Sequence, residues 1–114
     1  MSEVIQMPDG YGGHVGDRYP MVARPGAHSV YARGPHLVVE WHDFGDHAPY
    51  ESANLLIFDR PAQKALMALL DRPSNWTPHD FASRLAARFE SYFEVKSFAE
   101  ANGIAFASET DFYP

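Results

Sequence analysis

Between His36 and Phe44 the chain alternates: Leu37, Val39 and Trp41 fall on one side, Val38, Glu40, His42 and Phe44 on the other. A period of two over this length predicts a strand with one face buried more than the other. His28 to Arg33 reads as a shorter strand before it, and Gly34-Pro35 as the turn between them. After a polar loop from Gly45 to Glu51, Ser52 to Phe58 is apolar almost throughout, the pattern of a well-covered strand. Three strands with such short connections form an antiparallel meander.

Beyond Phe58 the period lengthens. Ala62, Ala65, Leu66, Leu69 and Leu70 recur at i, i+3, i+4, i+7 and i+8, one face of a helix. Asp59 suits its N-cap, and Pro61 suits the first turn, where a missing N–H costs nothing. Asp71 to Asn75 ends it. Thr77-Pro78-His79-Asp80 then predicts a second start: Thr at N-cap, Pro at N1, and Asp at N3 in a capping-box arrangement. Phe81, Leu85, Phe89, Tyr92 and Phe93 make the stripe of this second helix, with Asp80 and Arg84 as an outward i, i+4 pair. Ser97 to Glu100 resembles another capping box, so a short third helix ending at Gly103 is compatible with the pattern, as is a fourth short strand at Ile104 to Phe106.

Residues 1–27 carry five of the eight glycines and three of the nine prolines, which leaves room only for an arm laid over the domain. Tyr11, Tyr19, Met21 and Val22 are its candidate anchors. The expected organisation is therefore a Gly/Pro-rich arm (1–27), a single α+β domain (28–106) and a loose tail (107–114). Its fold is a three-stranded, or with Ile104 to Phe106 four-stranded, antiparallel meander packed against two C-terminal amphipathic helices.

Composition narrows the function classes. The absence of cysteine excludes disulfide and thiol chemistry and fits a reducing compartment. The N-terminal residues lack the basic and apolar regions of a secretory signal, and Ala65 to Leu70 is too short to span a bilayer, so a soluble cytoplasmic protein with no membrane partner is expected. The net charge of −6 divides into −4 over residues 1–57 and −2 over 58–114. With no basic stripe, direct nucleic-acid binding is disfavoured, while a partner with a basic surface is favoured. Sixteen aromatic residues exceed what one small core needs, leaving some for an interface. Trp41 and Trp76 join Tyr11 and Tyr19 as candidate partner-binding residues. Trp76 also suits a hydrophobic staple against Phe81.

One segment concentrates ligand chemistry. Trp41 to Glu51 holds two histidines and three carboxylates at a strand end and in the following loop. Imidazole and carboxylate are ligands for zinc, manganese or non-haem iron, and His42, Asp46, His47 and Glu51 are the candidate set for a divalent metal. On a strand His42 and Asp43 face opposite sides, so both cannot ligate without a bulge. The competing reading is a solvated hairpin tip whose polar residues discourage aggregation. His28, His36 and His42 lie on neighbouring strands and would form a pH-sensitive group if they converged. Gly10 to Gly16 superficially resembles a nucleotide loop, but the last glycine is one place out, and no strand, helix or lysine supports it.

No motif names a reaction. The chain reads as a small acidic, non-enzymatic interaction or regulatory protein (an inhibitor, immunity-type protein or accessory subunit) that docks on a protein partner and needs no cofactor. The alternative is a small metal- or histidine-dependent enzyme using the His42–Glu51 loop. A homodimer is compatible with either.

Overall fold

The computed structural model describes residues 17–23, 27–44, 51–70 and 77–113, with the side chains of Pro78, His79 and Tyr113 left aside. The order is β1 (Tyr19–Pro20), β2 (Ala27–Arg33), β3 (His36–Asp43), β4 (Glu51–Phe58), α1 (Arg60–Leu70), α2 (Pro78–Arg88), α3 (Tyr92–Ala101) and β5 (Ala107–Tyr113). The strands form one antiparallel sheet in the order β1-β2-β3-β4-β5. The α+β expectation holds, with five strands and three helices in place of three or four strands and two helices.

Register follows from the turn and from the pattern. Arg33 pairs with His36 across Gly34-Pro35, and Gly34 has φ +57°. Proline fixes a negative φ at the second position, so the pair suits a two-residue turn of type II′ geometry. The side chains then sort by parity. Val30, Val39 and Leu56 form one cross-strand row and Leu37 with Phe58 the next, on the face that carries the main core. Tyr31, Val38, Leu55 and Ile57 form a smaller cluster on the other face. The alternation read at His36 to Phe44 is the observed one.

All three helices bury side chains in the main core. The buried residues of α1 are Ala62, Gln63, Leu66 and Met67, while Ala65 and Leu69 are exposed. The stripe is thus rotated from the apolar pattern, because a glutamine takes a core position. Gln63 is fully buried, and its Nε2 donates to the carbonyls of Pro35 (2.9 Å) and Phe58 (3.0 Å). A buried amide that satisfies two orphan carbonyls ranks with an apolar residue. Asp59 caps α1, its Oδ1 accepting from the Ala62 N–H at 3.0 Å.

The α2 capping box forms as expected: Thr77 Oγ1 accepts from the Asp80 N–H at 3.1 Å, and the Asp80 carboxylate accepts from Thr77. The long second helix does not. It stops at Arg88, and Phe89 is its extended C-cap. Ser91 caps α3, accepting from the Glu94 N–H at 3.0 Å, so Ser97 lies inside a helix. Tyr92 and Phe93 open α3, with Tyr92 buried and Phe93 half exposed. Gly103 (φ +67°) ends α3 in a Schellman motif: Ile104 N–H donates to Ala99 O (2.9 Å) and Gly103 N–H to Glu100 O (3.3 Å).

The expected tail is the largest correction. Ala107–Tyr113 forms β5, paired along β4 from Ile57↔Ala107 to Glu51↔Tyr113, while Ile104 to Phe106 is the connection before it. Within the arm, Tyr19–Pro20 pairs with β2, and Met21 enters the core while Val22 is exposed. Among the described residues, no helix is long and apolar enough to cross a membrane.

Candidate functional site

The structure separates the histidines. By register His28 lies on the helix-covered face and His42 on the other. His36 shares a face with His42 but sits at the opposite end of β3, six residues or roughly 20 Å away. The three do not converge. His28 is buried, and its Nδ1 accepts the Tyr92 N–H at 3.1 Å, satisfying an orphan donor in the first turn of α3.

His42 belongs to a network on the second face. Its Nε2 lies 2.8 Å from Glu51 Oε1, and its Nδ1 lies 3.7 Å from Glu40 Oε2. Glu40 Oε1 accepts from both Tyr31 Oη (2.9 Å) and Arg18 Nη1 (2.9 Å). Arg33 Nη2 donates to Tyr31 Oη at 3.2 Å, and the Arg18 guanidinium stacks 4.1 Å from the Tyr31 ring centroid. Burial, then the neighbouring Glu40 charge, pushes the Tyr31 phenol well above its usual value, against the pull of Arg33 and Arg18. Glu40 also holds the Arg18 guanidinium above its usual value, outweighing a desolvation that acts the other way. The phenol is therefore a fixed neutral donor at ordinary pH, unsuited to proton transfer.

Of the proposed metal ligands, His42 and Glu51 come together, while Asp46 and His47 lie outside the described residues. Asp43 is buried on the opposite face from His42, as its parity requires. Among the described residues, no group of three histidine or acidic side chains is placed to hold a metal ion. Ser52, next to Glu51, turns to the helix-covered face, where its Oγ accepts from Asn54 Nδ2 at 3.3 Å.

A second surface lies at the Asp43–Ser52–Phe112 end of the sheet. Trp41 is half-buried there against Phe93 (ring centroids 4.7 Å), Tyr92 (6.1 Å) and His28 (6.2 Å). Its indole N–H is buried without a hydrogen-bond partner. Asn54 ties the adjoining strands, donating to Trp41 O (3.3 Å) and accepting from Thr110 Oγ1 (3.0 Å). Around this rigid patch Phe44, Phe93 and Phe112 are 57%, 48% and 62% exposed. Of the other candidate partner-binding residues, Tyr19 packs partly buried against the core, and Tyr11 and Trp76 lie outside the described residues.

Phe93 and Phe112 are the residues that sequence reasoning missed as surface groups. Phe93 was assigned to a core stripe that the break at Phe89–Ser91 interrupts, and Phe112 to a tail. The Ser91/Glu94 spacing signalled the first; nothing in the polar run Ser108 to Asp111 signalled the second. Two clefts accompany these surfaces. One of about 250 Å³ lies at His36, Ile57, Asp59 and Phe106, and one of about 120 Å³ between α1 and α2 at Met67, Phe81 and Arg88. Both are below the ~300 Å³ at which small-molecule sites begin. No protein family, curated protein or solved structure matches this chain.

Proposed function

We propose that this chain is a small, acidic, non-enzymatic interaction protein that docks on a protein partner through the Trp41–Phe93–Phe112 end of its sheet. The observation that carries the reading is the clustering there of three half-exposed phenylalanines around a tryptophan held by His28, Tyr92 and Asn54. Aromatic anchors that keep their conformation lose little entropy on binding, which is why such residues dominate interface energies. The net charge of −6 supports a partner with a basic surface.

The test is affinity capture from the native host with the wild-type chain and with a Phe93→Ala/Phe112→Ala variant. One identified protein is expected with wild type and is lost with the variant, at unchanged melting temperature. Equal capture by both chains removes this surface from consideration.

A second reading, a metal- or histidine-dependent enzyme on the 42–51 loop, draws on the 2.8 Å contact of His42 with Glu51. Metal co-purifying in stoichiometric amount, and lost in a His42→Ala/His47→Ala variant, would favour it. A melting temperature indifferent to added zinc or manganese would sink it.

A further inference from the structure

The open long edge of the sheet is β5. It ends the strand order, and its seven residues pair with β4 on one side only. Alternate residues of such a strand turn their N–H and C=O groups away from the neighbour, which makes an edge a template for one more strand. β4 and β5 contain Glu51, Glu109 and Asp111 and no lysine or arginine. Register puts all three acids on the same face as Leu55 and Ala53, with Glu109 opposite Leu55 and Asp111 opposite Ala53. The other face of β5 presents Ser108, Thr110 and Phe112, level with Leu56, Asn54 and Ser52.

A second copy is a poor occupant. A two-fold axis normal to the sheet would pair β5 with itself antiparallel, keeping each side chain on its own face. Directly opposed residues must then share parity. Centring on Thr110 sets Glu109 against Asp111 twice; shifting either way sets Glu109 against Glu109 or Asp111 against Asp111. Each register that pairs most of the strand opposes like charges, which destabilises a ladder. The edge is built against self-pairing and complements the opposite charge.

We infer that β5 receives an extended basic segment of a partner protein by strand addition. Lysine or arginine at two alternate positions meets Glu109 and Asp111, and the intervening apolar side chains lie along Thr110 and Phe112. Backbone hydrogen bonds supply the docking, and the alternation supplies the choice of partner. The inference rests on the docking reading above and names the chemistry of what docks.

The test uses the full-length, isotope-labelled chain titrated with a synthetic peptide of alternating lysine and valine. Slowed hydrogen exchange at alternate β5 amides is expected, with affinity falling as salt rises. Glu109→Lys/Asp111→Lys should weaken binding about tenfold or more, and an alternating glutamate–valine peptide should leave β5 unprotected. Because both side chains lie on the outermost strand, the double variant should keep its melting temperature and its spectrum elsewhere. Absence of β5 protection, equal binding by the double variant, or protection of wild-type β5 that grows with its own concentration would each overturn the inference. If the double variant still captures the partner that Phe93→Ala/Phe112→Ala loses, the docking surface stands and strand addition fails. If neither wild type nor variant captures any partner, the docking reading itself fails.

Discussion

Tyr31 and His28 show how the same sheet makes different uses of polar side chains. His28 replaces a missing backbone acceptor at the start of α3, so its ring is structural. Tyr31 is fully buried, with its hydroxyl between Glu40 and Arg33. Below about pH 10 the phenol is protonated in both folded and unfolded chains, and the stability of this site is fully present. Above that, the unfolded chain ionises first, because burial and Glu40 raise the folded-state value. The folded state then binds more protons, and stability falls as pH rises until the folded-state value is passed. Burial raises Tyr92 as well, so it acts in the same direction. Urea unfolding between pH 9 and 11 should show stability falling by up to ~1.4 kcal/mol per pH unit for each such group at the top of this range. Tyr31→Phe should make that decline shallower. An unchanged slope would mean that Tyr31 ionises as readily in the folded chain as in the unfolded one.

At the scale of elements, α1 tests the rotated face. Leu66 is fully buried and Leu69 is 52% exposed, although the apolar pattern treats them alike. Leu66→Ala should cost about 2–5 kcal/mol through lost burial and a cavity, whereas Leu69→Ala should stay within about 0.5 kcal/mol; chemical denaturation of the two variants decides it. The reason sequence misassigned the stripe is Gln63, whose carbonyl partners at Pro35 and Phe58 come from other elements. Local signals elsewhere were sufficient. Gly34-Pro35 set the β2–β3 register, Thr77 and Asp80 set the start of α2, and the period of two sorted β3 into its faces. The division of α2 from α3 was legible too, in Ser91 and Glu94, but the aromatic spacing of Phe89, Tyr92 and Phe93 concealed it by continuing a helical stripe across the break. β5 was not legible, since Ser108, Glu109, Thr110 and Asp111 have the composition of a loop, and only the neighbouring β4 makes them a strand. For the same reason the His42–Glu51 pair was legible only as proximity in sequence, whereas Trp41, Phe93 and Phe112 were brought together by three separate elements.

For the whole molecule the consequence lies in how the sheet is closed. Four of its strands follow one another along the chain, but the β4–β5 ladder joins Glu51–Phe58 to Ala107–Tyr113 across all three helices. It is the sheet's long-range closure, made after the helices have folded back, and such pairings are slow to form. Until then the outermost strand is β4, with Leu55, Leu56, Ile57 and Phe58 in succession. A short apolar run without charge or proline is the kind of segment that seeds intermolecular sheets. The polar β5 is then a gatekeeper, shielding the stickiest strand of the protein once it is in place. Chains ended at Ala105 should aggregate during refolding at concentrations where the full chain stays monodisperse, as light scattering would record. On this account the last seven-residue strand sets the solubility of the folding intermediate, and not only the affinity of the finished surface.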